Sequence, residues 1–212
     1  MPVLPFKTDT DVVHFAKAFL DEHLERFRKD IDICLTPDAK NSHAYFPALI
    51  TCIAFVDLLS GLYAGKLDDH GLKELKRYVS KFMDTATYDS DRLDILYECF
   101  RHKVAHLAQP YAVFDTHHSK KRFRTQPKRR ITWTVLETER RPAIEIVRKK
   151  CAKQIERAVT PWPVLYDHRV SISVPTLASD IIGSIPRYLG YLRTDQNACD
   201  RFKKCMDVYF PH

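Results

Sequence analysis

The residues best equipped for chemistry crowd into one stretch, Glu98-Cys-Phe-Arg101-His102-Lys-Val-Ala-His106. An arginine keeps its charge at any physiological pH, and its guanidinium forks onto two phosphate oxygens. A histidine titrates near neutrality and moves a proton there. Those two functions suffice to cleave RNA without a metal. A general base takes the proton of the ribose 2′-hydroxyl, that oxygen attacks the adjacent phosphorus, and a cation stabilises the crowded, phosphorane-like charge. The products are a 2′,3′-cyclic phosphate and a free 5′-hydroxyl. Two acids are placed to support such a pair. Glu98 precedes Arg101 by three residues, the spacing of a helical salt bridge, and either pairs with it or holds its guanidinium for phosphate. Asp57 interrupts an apolar run, where a lone charge is too costly. It is expected to pair with an arginine or a hydroxyl inside the fold, or to orient Arg101 or His106.

The elements that must position these groups follow from hydrophobic spacing. Val12, Phe15, Phe19, Leu20, Leu24, Phe27 and Ile31 form one stripe of a first helix, opened by Thr8, Asp9 or Thr10. Residues 44–64 are almost wholly apolar and read as a second helix, buried on all sides rather than crossing a membrane, since Asp57 sits within it and no second span follows. A third helix runs from about Gly71 to Thr85. A fourth starts at Ser90-Asp91, carries Leu93, Leu96, Phe100, Val104 and Leu107 inward, and ends at Pro110. Short links favour an antiparallel four-helix bundle. Five residues along an α-helix turn through about 500°, so Arg101 and His106 project roughly 140° apart. One copy makes a poor pocket. Two copies about a twofold axis would place Arg and His from both chains in one cleft, and symmetric dimers are the commonest oligomers.

Beyond Pro110 the character changes. Tyr111–Phe114 and Ile131–Leu136 read as strands flanking a long arm, and Arg169–Val174 as another strand. Pro142–Val147 suits a strand and Arg148–Val159 a helix. Two helices, about 176–192 and 195–209, follow, the first interrupted or kinked at Pro186. The fold class expected is mainly α with a small β-hairpin or sheet elaboration and C-terminal helices, α+β overall. Residues 1–110 form the bundle, 111–175 the β-rich elaboration, and 176–212 helices packing back on the bundle as one compact unit.

An R-x4-H motif late in a four-helix bundle, with a polar residue directly after the Arg, resembles the HEPN superfamily. The resemblance covers about residues 10–110. It implies a metal-independent endoribonuclease, active as a homodimer with a composite site, in toxin–antitoxin or antiphage defence. Arg101 and His106 then form the catalytic pair, with His102 in the supporting position and Glu98 and Asp57 behind them. One toxin subgroup continues the motif as H-x-Y, whereas Leu107-Ala108 follow His106 here. The alternative is a non-catalytic HEPN-like module that binds nucleic acid, a nucleotide or a partner protein.

Composition narrows the choice. The chain has 212 residues, enough for a sizeable core, and only 5 glycines, with no Gly-rich phosphate loop. Its net charge is +7, and no acid lies between Asp115 and Glu137. Lys120, Lys121, Arg122, Arg124, Lys128, Arg129 and Arg130 fill that window; without these seven, 27 basic residues balance 27 acidic ones. Such a focused patch suits RNA phosphates, over an arm at 117–130. Phe123 is placed to stack on a base, while Trp133 and Trp162 suit packing. The six cysteines form no C-x-x-C and read as reduced, buried thiols. With no secretory signal at the start, a cytoplasmic protein is expected, with RNA and an antitoxin or regulatory partner, no membrane, no metal and no cofactor.

Overall fold

Helix α1 (Asp9–Leu35) begins at a reciprocal cap: the Asp11 amide donates to Thr8 Oγ1 at 3.2 Å, and the Thr8 amide to Asp11 Oδ2 at 2.9 Å. A computed structural model describes residues 6, 8–40, 42–68, 70–102, 112–116, 128–155 and 163–210, and structural statements below concern those residues. Val12, Ala16, Phe19, Leu20, Phe27 and Ile31 are buried along α1, with Phe15 and Leu24 packed at the border, close to the expected stripe. Helix α2 (Tyr45–Ala64) follows and closes at Gly65, whose φ of 73° is the left-handed cap geometry that favours glycine. A side chain there would also press on Arg201, 3.0 Å from where its Cβ would lie.

Helix α2 is long and apolar enough to cross a membrane, but 61% of its most apolar stretch is buried inside the protein. It is the axis of the fold. Packed against it are α1, α3 (Leu72–Phe82), α5 (Val174–Thr194), α6 (Gln196–Tyr209) and strand β2 (Arg130–Leu136). Helix α4 (Ser90–Leu96) is capped by Asp89, whose carboxylate accepts from the Arg92 amide at 2.8 Å, and packs on α3. Tyr97–His102 continues α4 as a π turn, whose i→i+5 bonding widens the helix. The C-terminal helices close the bundle. Tyr78 and Ser184 share a buried hydrogen bond of 2.8 Å between α3 and α5, and Phe202 of α6 meets Phe15 and Phe19 of α1. The His23 ring bonds Tyr209 at 3.0 Å, and Arg201 Nε donates to the Tyr63 carbonyl at 2.8 Å. Pro186 lies inside α5, which runs through it unbroken.

The strands form one four-stranded mixed sheet, ordered β1-β2-β4-β3, from β1 (Phe114–Asp115), β2, β3 (Ile144–Gln154) and β4 (Leu165–Ser173). β1 pairs antiparallel with β2, Phe114 opposite Ile131, as a short version of the expected hairpin. β2 and β4 are parallel and β3 lies outside β4. Ile131, Val135, Ile144, Val170 and Ile172 turn one face to the core, and Trp133 wedges between Phe46 and Phe100. Ser173 ends the sheet and starts α5: its hydroxyl donates to the Thr138 carbonyl at 2.7 Å and accepts from the Arg140 amide at 3.1 Å.

The helix expected from Arg148 is instead the second half of β3. Ile144, Val147, Cys151 and Ile155 fit a helical stripe, but Val147 and Cys151 are exposed and Arg148 pairs in register with His168. Pairing with β4 decides the structure there, with a bulge between Arg148 and Lys153. The molecule is thus α+β, dominated by helices, with a small mixed sheet.

Candidate functional site

Arg101 emerges from the π turn and is held on two sides. Its Nε donates to Asp57 Oδ2 on α2, and its Nη1 donates to the Tyr97 hydroxyl at 2.8 Å. The guanidinium carbon stands 4.6 Å from the centre of the Tyr97 ring, a cation–π contact. Nη2 has no partner among the described residues, and the side chain keeps 35% of its surface exposed. Asp57 is more deeply set, its side chain 13% exposed, with Oδ1 buried and without a hydrogen-bond partner among the described residues.

The chemical consequence is orientation. A long, mobile side chain is fixed at its root by a carboxylate and along its flank by a phenol. Of its outer nitrogens, Nη1 is taken up by that phenol and Nη2 has no partner among the described residues. The pairing with Asp57 lowers the local positive potential, so the arginine relies on directed donors more than on bare charge to hold an anion. The Tyr97 hydroxyl lies beside the turn before α3, 3.7 Å from where a Cβ on Gly71 would sit.

The other expected site residues divide clearly. Asp57 and Arg101, 44 positions apart, are brought together. Glu98 is buried, 4% exposed, and is not the ion-pair partner of Arg101 despite its i,i+3 spacing, because the π turn breaks the α-helical register that would align them. His102 contributes backbone to the π turn, and its side chain lies outside what the structure describes, as does all of His106. Of the basic arm, Lys120, Lys121, Arg122 and Arg124 also lie outside the described residues. Lys128 is exposed. Arg130 opens β2 with its guanidinium 3.9 Å from Asp115.

Arg129 departs from the expected role of phosphate ligand. It is 8% exposed, and its Nη1 and Nη2 fork onto Asp91 at 2.7 and 2.5 Å. The hydrogen bonds to Asp91 hold its charge firmly, pushing its pKa above the ordinary arginine value. Its backbone is bonded both ways to Thr116. Arg129 therefore anchors the root of the arm to α4, a pairing that no local spacing announces.

The cysteines behave largely as expected. Cys52, Cys99, Cys199 and Cys205 are buried thiols outside any disulfide. Burial pushes the thiols of Cys52 and Cys199 up and that of Cys205 to about 11, so these stay protonated at neutral pH. Cys34 is half-buried, and Cys151 is exposed on β3 where the sequence predicts a helix interior.

Tyr97 was missed from the sequence, although the signal existed: it precedes Arg101 by four residues, a spacing that brings side chains together on a helix. Set against known protein families, characterised proteins and solved structures, the chain matches none of them.

Proposed function

We infer that the chain is a metal-independent endoribonuclease of HEPN type. The observation that carries the reading is Arg101: partly exposed, oriented by Asp57 and Tyr97, with an outer nitrogen that has no partner among the described residues, five residues before a histidine. Arg101 holds the non-bridging oxygens of the scissile phosphate. His106 takes the proton of the ribose 2′-hydroxyl, whose oxygen bonds to phosphorus as the bond to the 5′-oxygen breaks. That oxygen leaves with a proton from the second imidazole of a twofold dimer, and His102 supports the pair. On this reading α1–α4 serve as the HEPN-like bundle, the arm around residues 117–130 guides RNA, and the biological setting is a cytoplasmic toxin or antiphage effector checked by an antitoxin or regulatory partner.

The test is cleavage of a mixed RNA substrate with EDTA present, comparing the parent with Arg101→Ala and His106→Ala. Cleavage to 2′,3′-cyclic ends, lost in both variants, is the expected result. A folded, dimeric parent that binds RNA and yields no product would replace this reading with that of a non-catalytic binding module. Normal cleavage by either variant would overturn the assignment of the residues.

A further inference from the structure

The sheet carries a second basic site that no part of the proposed catalytic pair accounts for. A cleft of about 480 Å³ lies over the sheet, bounded by Thr132 and Thr134 of β2, Arg169 of β4, and Lys149, Lys153 and Gln154 around the β3 bulge. Strand alternation puts Thr132, Thr134 and Arg169 on the face opposite Ile131, Val135 and Val170, away from the core. Thr132 stands in register with Arg169.

Its charge is one-sided. Three cations line the cleft and, among the described residues, no carboxylate does. Lys149 and Lys153 have no carboxylate within ion-pair reach among the described residues, and neither have Arg148 and Lys150 beside them on the same edge strand. Arg169 donates from Nη2 to the Tyr166 hydroxyl at 3.1 Å, while its Nε is buried with no acceptor among the described residues. Glu145, the carboxylate of β3, is taken up by Arg140 at 3.0 Å. Concentrated cationic donors with unspent hydrogens, flanked by the Thr134 hydroxyl and the Gln154 amide, suit an anion with several oxygens, while Thr132 Oγ1 donates to the Ala112 carbonyl at 3.3 Å. The volume is that of a small-ligand site. Among the described residues, the aromatic groups lining the cleft are Tyr166, 7% exposed, and Trp133, half-buried with its ring packed against Phe46 and Phe100, so little open ring surface is left for a base to stack on. These are the features of a phosphate reader, indifferent to sequence.

We propose that this cleft, with the cationic edge of β3, binds the phosphodiester backbone of a single RNA strand. The proposal rests on the reading that the chain engages RNA, and is independent of catalysis at Arg101.

The experiment is fluorescence anisotropy with a labelled, mixed-sequence single-stranded RNA, in EDTA, over a salt series. An Arg101→Ala background prevents cleavage during the measurement. Each phosphate contact on a single strand contributes a slope of about 0.7 in log K against log salt, hence about fivefold in affinity at 0.1 M. Lys149→Ala with Lys153→Ala should therefore weaken binding about 25-fold and flatten the slope by about 1.4. Both side chains lie at the surface of the sheet, so the pair tests the cleft without touching the core; Arg169→Gln is the second variant, with circular dichroism to check its fold. Unchanged affinity and slope in the double-lysine variant would overturn the cleft while leaving the nuclease reading standing. Weakened binding with no cleavage by the unsubstituted parent would support the cleft and sink the nuclease. Binding of the parent to anionic phospholipid vesicles and not to RNA would overturn both.

Discussion

The ion pair between Asp57 and Arg101 can be tested by a double-mutant cycle, and the structure sets both its size and its asymmetry. Unit charges about 4 Å apart attract by about 4 kcal/mol at an effective dielectric of about 20, before desolvation is charged against them. Exposed pairs retain about 0.2–1 kcal/mol of this, whereas removing one partner of a buried pair costs about 3–5 kcal/mol. This pair lies between those limits, since Asp57 is 13% exposed and Arg101 35%. A coupling energy of about 1.5–2 kcal/mol follows. The single variants should differ. In Arg101→Ala the carboxylate stays on α2 with its companion oxygen already lacking a partner, a loss of about 2–3 kcal/mol. In Asp57→Ala the guanidinium swings into water, and the loss is about 1 kcal/mol. Urea unfolding followed by far-UV circular dichroism measures all four corners of the cycle. A coupling below about 0.5 kcal/mol, or a larger loss from Asp57→Ala than from Arg101→Ala, would refute the claim that the carboxylate holds the arginine in place.

Four further outcomes are expected. Arg129→Ala should cost about 2 kcal/mol in a thermal melt because it breaks the buried fork onto Asp91, while Lys128→Ala leaves the midpoint where it was; equal effects would contradict the anchoring role. Tyr78→Phe should cost about 1 kcal/mol by removing the bond to Ser184, and a neutral result would mean that the hydroxyl is not paired. With a thiol reagent in native buffer, Cys151 should react first and Cys52, Cys99, Cys199 and Cys205 only on unfolding; rapid labelling of Cys52 would contradict its burial. Acid should destabilise the fold through carboxylates held below their ordinary range. Burial works against Asp167, yet bonds from His168 and the Arg130 amide more than reverse it; Asp195 is held down by the Tyr191 hydroxyl. Folded values below unfolded ones mean that this stability is complete above the unfolded carboxylate values of about 4 and is lost as pH falls through the folded ones. The urea midpoint should therefore be level from neutrality down to about pH 5 and drop below about pH 4, less steeply in Asp167→Asn; a midpoint level into strong acid would contradict the shifts.

Much of this architecture could be read from residue spacing, and the failures have physical causes. The helices at 9–35, 72–82 and 196–209 carry periodic apolar stripes and 45–64 is an almost unbroken apolar run, so the hydrophobic burial that fixes them is local in pattern. Asp57 announced itself as an acid in an apolar run, so its need for a cation was plain; that the cation is Arg101 depends on how α2 and the π turn meet, which no spacing reports. The estimate that Arg101 and His106 diverge assumed α-helical geometry, whereas Arg101 sits in a wider turn. Over Arg148–Gln154 helix and strand patterns coincide, and only the ladder to β4 decides between them. Charge arithmetic misled in a subtler way. Outside residues 120–130 the acids and bases sum to zero, yet that sum hides a second basic run in the sequence, Arg148, Lys149, Lys150 and Lys153, which the fold sets along one edge strand. The pairing of Arg129 with Asp91 spans 38 positions and had no local trace.

The way α5 and α6 complete the surroundings of α2 has a consequence for biosynthesis. Residue 64 leaves the ribosome about 145 residues before residue 209, a lag of about 7–30 s at usual translation speeds. Throughout that interval an apolar helix with the hydropathy of a bilayer span lacks two of its covers, and Phe15 and Phe19 wait for Phe202. A nascent chain in that condition is a client for chaperones and a decoy for the membrane-insertion machinery. Ribosome-nascent chains arrested before α5 should accordingly be captured by hydrophobic-segment receptors, and full-length released chains should not. The same lag separates the synthesis of Asp57 and its helix from that of the two helices that cover it.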